Sequence, residues 1–222
     1  LVTICAGVAL SAWWAPAIGA AASAVGKVIQ WATVLQPFWM GILVSVLVGI
    51  ALTLPISSAA ICSALTLTGL AGGAAVAGCC ANMVGFAVLS FRENGWGGLV
   101  SQGLGTSMLQ MPNIVRNPRI WLPAILTSAV TGPLATCVFH LEMNDPAGGV
   151  ASGMGTCGLV GQIGVYSGWV ADVASGAKAA ITPFDWAGLL LISFLLPGAL
   201  CWLFGLFFRR IGWIREGALK LE

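Results

Sequence analysis

Gly103-Leu104-Gly105-Thr106-Ser107-Met108-Leu109 and, fifty positions later, Gly153-Met154-Gly155-Thr156-Cys157-Gly158-Leu159 are two copies of one phrase. The shared frame is Gly-x-Gly-Thr-small-x-Leu. A glycine pair precedes each copy, Gly97-Gly98 and Gly148-Gly149. Around the two frames the chain is a series of long apolar runs. The frames therefore predict two broken or re-entrant segments, related by internal duplication, inside a membrane protein.

Composition supports the membrane setting. The 222 residues are 59% hydrophobic and 7% charged, with a mean hydropathy of +0.98. A soluble domain carries about 25% charged residues. Residues 28–91 contain no Asp, Glu, Lys, Arg or His over 64 positions. At ~1.5 Å per residue that is helix enough to cross a ~30 Å hydrocarbon core twice. Residues 120–139 and 186–208 are further uncharged runs of 20 and 23 positions. The net charge of +2 is too small to suggest a nucleic-acid partner. The cysteines Cys5, Cys62, Cys79, Cys80, Cys137, Cys157 and Cys201 have no chelating spacing and read as small apolar fillers. A metal site, a cofactor and a catalytic constellation are not expected, and the single His excludes a His-rich site.

The runs divide into spans. Residues 1–14 read as the end of one span, with Pro16 and the run Gly19 to Gly26 closing it, and 17–36 as an interfacial link carrying Lys27. Spans follow at about 38–57, 60–90, 120–140 and 186–208. Because Leu1 opens inside an apolar run and Leu221-Glu222 resembles a cloning scar, 1–222 is expected to be one transmembrane domain lacking upstream spans. Segments 92–118 and 141–172 are too polar to cross and hold the glycine frames. If each returns to the face it leaves, eight of the nine basic residues fall on one side, and only Lys178 does not. By the positive-inside rule that side is the cytoplasm, with the C-terminus in it. The two glycine segments then enter from opposite faces and form an inverted repeat of half-penetrating hairpins. Non-helical backbone at that depth is tolerated where it lines a cavity or is buried in protein, and glycines allow its close approach. Two interfacial glycine-rich loops are the simpler alternative.

Polar residues gather at the frames. Arg92, Glu93, Asn94, Gln102, Thr106, Ser107, Gln110 and Asn113 flank the first; His140, Glu142, Asn144, Asp145, Thr156, Gln162 and Tyr166 flank the second. Amides, hydroxyls and carboxylates of this kind suit a polyhydroxylated solute, and intramembrane polar groups are costly enough to suggest function. Each has a plainer reading. Arg92-Glu93 can be an ion pair that ends a helix, His140 an interfacial residue, Gln102 and Gln162 caps of broken helices, and Glu142 and Asp145 solvated loop charges.

The stretch Arg92-Glu93-Asn94-Gly95-Trp96, the first frame through Asn113, Asn117-Pro118-Arg119, Thr131-Gly132-Pro133-Leu134 and the second frame through Gln162 resembles the EIIC-like membrane proteins of the perfringolysin-regulator (PfoR) type. The upstream phrase Leu35-Gln36-Pro37-Phe38-Trp39-Met40-Gly41 fits as well, so the likeness covers about residues 17–208. That type is grouped with the membrane subunits of the bacterial sugar phosphotransferase system. The resemblance implies an all-α polytopic protein of the bacterial inner membrane, a homodimer, with a sugar-like solute and EIIA and EIIB phosphocarrier partners. It implies at most a permease subunit and no chemistry within this chain. A solute-binding membrane sensor without transport is the rival.

The topology is testable directly. In a cysteine-free background, Arg116→Cys and Arg210→Cys are expected to react with an impermeant maleimide only from the cytoplasm, and Asp145→Cys only from outside. Labelling of Arg116→Cys and Asp145→Cys from the same face contradicts opposite entry.

Overall fold

The computed structural model describes residues 2–144 and 149–221, with side chains from residue 19 onward. Asp145, Gly148 and the Cys5 side chain lie outside the described residues. Among these residues ten α-helices follow one another: α1 Val2–Leu35, α2 Pro37–Thr53, α3 Ser58–Ala64, α4 Gly69–Leu89, α5 Phe91–Val100, α6 Met111–Arg116, α7 Leu122–Pro133, α8 Val160–Ala174, α9 Pro183–Leu190 and α10 Leu196–Arg210. The only β feature among the described residues is an isolated antiparallel bridge between Gly69 and Met143. The fold is that of an all-α polytopic membrane protein.

Among the described residues, three helical stretches are long and apolar enough to cross a membrane: Gly69–Leu89, Pro118–Val138 and Pro183–Arg210. The last two are composite. A π-helical turn, Leu134–Val138, continues α7, and another, Leu191–Leu195, joins α9 to α10. Expected spans differ from observed helices in three places. Helix α1 runs unbroken through Pro16, so 17–36 is not a separate link. Helix α2 stops at Thr53, a helix of 17 residues. The expected 60–90 span is two helices, because the chain turns between α3 and α4, where Thr66 has φ +48° and Gly69 φ +61°.

Helix α4 is the axis. Of its most apolar window, 89% is buried, although its side chains are mostly Gly, Ala and Cys. Small side chains let neighbours approach the backbone itself. On α2, Gly41, Ser45, Gly49 and Thr53 recur every fourth residue, and all four are buried. A Cβ at Gly78 of α4 would overlap the Ser45 carbonyl; one at Gly132 of α7 would meet the Gly41 backbone. The three helices thus meet along glycine seams.

Polar groups within this seam are satisfied. The Asn82 amide donates to the Gly78 carbonyl at 3.1 Å and to Ser128 Oγ at 3.2 Å. Its Oδ1 accepts from Trp121 Nε1 at 3.1 Å and from Thr53 Oγ1 at 3.3 Å. Both donors and both lone pairs of Asn82 are used. Ser45 Oγ donates to the Ser128 carbonyl at 2.8 Å, completing the tie between α2 and α7.

Gly78→Val is expected to lower the stability of the detergent-solubilised protein by about 3 kcal/mol or more, because the obstacle is backbone and cannot rotate away. A Cβ at Gly97 would meet nothing within 4 Å, so Gly97→Ala should shift stability by no more than about 1 kcal/mol. Equal thermal shifts for the two variants would contradict the glycine-seam account.

Candidate functional site

The first glycine frame follows a chain of helix interruptions. Gly95 breaks α5 with φ +58° and ψ −153°. Residues Ser101–Gly105 form a π turn, Thr106 is extended, and Ser107–Gln110 form a 3-10 turn capped by Thr106, whose hydroxyl accepts from the Met108 N–H at 3.1 Å. Ser107 is buried and shares a 2.9 Å hydrogen bond with Thr53. This joins the frame to the polar cluster around Asn82.

The amides of this segment form a relay. Gln102 Nε2 donates to Ser90 Oγ at 2.8 Å, Gln110 Nε2 to Gln102 Oε1 at 2.9 Å, and Asn113 Nδ2 to Gln110 Oε1 at 2.9 Å. Their second N–H groups go to the Gly98, Leu219 and Lys220 carbonyls, respectively. Asn94 grips the same C-terminal stretch at two points: Nδ2 donates to the Leu219 carbonyl and Oδ1 accepts from the Leu221 N–H, both at 2.8 Å. Residues 219–221 are therefore strapped across the first segment. The strap was not visible in the sequence, where 211–221 shows no motif that announces a partner.

Arg92, Glu93 and Asn94 diverge. Glu93 receives Arg209 Nη2 from α10 at 2.9 Å and 3.2 Å, and the same nitrogen reaches the Leu89 carbonyl at 3.0 Å. The pair is mostly buried, at 16% and 9% side-chain exposure for Arg209 and Glu93. Removing one partner of such a pair costs about 3–5 kcal/mol. Arg92 is exposed and turns outward.

The second frame runs inward and doubles back. Gly149 sits against the Cys62 and Leu67 backbone, Gly153 against Ser58, and Gly155 against Cys79. Ser58 Oγ donates to the Gly153 carbonyl at 2.6 Å. Positive φ at Gly155, Gly158 and Leu159 (+54°, +53° and +60°) reverses the chain into α8. Helix α8 then returns past its own inbound segment, with Gly164 against Ala151 and Gly168 against Asn144. At the turn, the Thr156 hydroxyl donates to the carbonyl of Gly103 at 2.5 Å. The two frames touch there, hydroxyl of one to backbone of the other.

Two buried oxygens beside this junction have no partner among the described residues, Gln162 Oε1 and Ser193 Oγ. Gln162 Nε2 reaches Cys80 Sγ at 3.3 Å, and Ser193 faces the same sulfur. Buried polar atoms are nearly always paired, so orphans of this kind call for an explanation. Ser193 sits in the Leu191–Leu195 π turn, a feature frequent at functional sites. Nothing in its apolar sequence context marks it.

His140 stands elsewhere. It has φ +43° and lines a cleft of about 380 Å³ with Glu142, Asn144, Asp172, Lys178 and Asp185. Lys178 Nζ pairs with Asp185 Oδ1 at 2.7 Å and lies 5.1 Å over the Trp169 ring. Asn144 donates to Asp172 at 2.8 Å. This cleft opens where α9 begins; Arg209 and Arg210 mark where α10 ends. No residue of either glycine frame lines this cleft, so His140 and the frame junction are separate sites.

A membrane bundle of interrupted helices, with two glycine-rich turns in contact and unspent polar atoms beside them, is the anatomy of a solute permease. Residues 1–221 match the family described as "Phosphotransferase system, EIIC". The chain belongs to that family, the membrane-embedded permease components of sugar phosphotransferase systems. Comparison with the curated proteins and with the solved structures gives no match.

Proposed function

We propose that this chain is a sugar-translocating permease subunit and that its solute is handled where the two glycine frames meet. The observation that carries this reading is the Thr156 hydroxyl on the Gly103 carbonyl. In the proposal, 92–118 and 141–172 are re-entrant hairpins of an inverted repeat, entering from opposite faces of the bacterial inner membrane. The gathering of Arg92, Arg116, Arg119, Arg209, Arg210 and Arg215 around the C-terminal stretch supports a cytoplasmic C-terminus. The motifs between Arg92 and Gln162 support the perfringolysin-regulator type within the family.

Each candidate side chain has a part. Thr106, Ser107, Thr156 and Gln162 offer hydroxyl and amide groups at the junction, joined by Ser193. Asn94 and Asn113 each give an amide N–H to the strap, whereas Gln102 gives both of its own to Ser90 and Gly98. Asn94 and Asn113 reach solute hydroxyls once residues 219–221 lift away and free those N–H groups, and Gln102 holds the relay in place behind them. Glu93 holds α5 to α10 through Arg209, and Arg92 stands at the cytoplasmic rim. His140 receives solute at the outer cleft. Coupling places an EIIB phosphocarrier, charged by EIIA, on the arginine-rich face, and a homodimer is the expected assembly.

Vesicles from cells expressing the full chain, given a panel of labelled hexoses, hexosamines and polyols with and without EIIA and EIIB, test the reading. At least one sugar is expected to accumulate only where the chain is present. Thr156→Val should cut its rate about tenfold or more, since a lost buried hydrogen bond costs about 1–3 kcal/mol, and Thr156→Ser should restore it. Binding without accumulation would favour the sensor. Neither binding nor accumulation for any panel member contradicts the permease.

A further inference from the structure

On the outside of the bundle, α5 and α10 leave an open furrow of about 410 Å³. Its lining is apolar: Val88, Leu89, Leu99 and Leu206, with the indoles Trp96 and Trp202 at its sides. Trp96 is 74% exposed and Trp202 49%. Indoles so exposed on a membrane protein belong to the interfacial belt, where ring and headgroup lie at one level. The furrow therefore faces hydrocarbon along most of its length and headgroups at one end.

That end is cationic. Arg92 and Arg209 line the furrow, and a second cavity continues from Arg92, Leu206 and Arg209 to Arg210 and Arg215. Glu93 spends its charge on Arg209. The side chains of Arg92, Arg210 and Arg215 have no hydrogen bond or ion pair among the described residues. Glu216 is the one further acidic residue lining the second cavity.

We propose that the furrow is a binding site for an anionic glycerophospholipid of the surrounding bilayer. Its phosphate lies between Arg92 and Arg210, and one acyl chain lies along Val88, Leu99, Trp202 and Leu206. Guanidinium forks match phosphate oxygens in pairs, and basic groups at the membrane surface select anionic lipid. Soluble phosphate would use the arginines and gain nothing from the apolar trough. A second copy of this chain is a poor occupant. A two-fold contact centred on the furrow would bring each arginine cluster against its own image, with like charges opposed.

The test is native mass spectrometry on the full chain purified in detergent, with dioleoyl phosphatidylglycerol and dioleoyl phosphatidylcholine added in equal amounts. The wild type is expected to retain phosphatidylglycerol about tenfold or more over phosphatidylcholine. The exposed double variant Arg92→Ala/Arg210→Ala should retain the two equally, and Arg92→Lys/Arg210→Lys should keep the preference. Leu206→Trp, which fills the trough, should lower retention of both. Excess inorganic phosphate should leave the lipid bound. Equal retention by the wild type, an unchanged preference in the alanine variant, displacement by phosphate, or Trp96→Cys cross-linking furrow to furrow between copies would each overturn the proposal.

Discussion

Helix α4 is buried on every side, yet its side chains are mostly those of glycine, alanine and cysteine. That constraint shapes the rest of the molecule. Neighbours must come to its backbone, so they too present glycine, serine or threonine at the contact: Gly49 and Ser45 from α2, Gly155 from the second frame. In a membrane, where lipid is as apolar as leucine, such close packing and interhelical hydrogen bonds drive helix association. Asn82 shows the consequence. A side chain costly to bury is held by all four of its hydrogen-bonding valences, from α2, α4, α7 and the turn before α7.

The same closeness permits broken helices inside the bundle. Each interruption frees buried backbone groups that need partners. Here the protein supplies the partners: Thr106 caps the 3-10 turn that closes the first frame, Thr156 takes the Gly103 carbonyl, and Ser58 takes that of Gly153. The frames are thus not merely flexible glycine loops. Each is fixed by a hydroxyl, and one of those hydroxyls comes from the other frame. The first segment is further clamped by residues 219–221, whose backbone occupies the amides of Asn94, Gln110 and Asn113.

Much of this was legible in the sequence. The uncharged runs mark α4, the span through α7 and the α9–α10 span, because hydropathy integrates over a bilayer's thickness. The repeated glycine frame marks the two turns, because few other residues tolerate the φ values at Gly155 and Gly158. What failed to show were pairings across the chain. Glu93 looked like the partner of its neighbour Arg92, and its partner is Arg209, 116 positions away. Pro16 looked like a helix end, and α1 passes through it. The break between α3 and α4 carries no charge or proline, and Ser193 lies in an unbroken apolar run whose π turn leaves no trace in composition. Hydropathy is a property of position along the chain; these features depend on which positions meet.

The two frames meet through the Thr156 hydroxyl and the Gly103 carbonyl. In a chain whose only cysteines are native Cys157 and an introduced Leu104→Cys, each beside a residue making the Thr156–Gly103 contact, a short bifunctional maleimide reports it. An intramolecular cross-link between the two is expected, formed in membranes before any detergent is added and absent from either single-cysteine chain. Full alkylation of both thiols without cross-linking would contradict it.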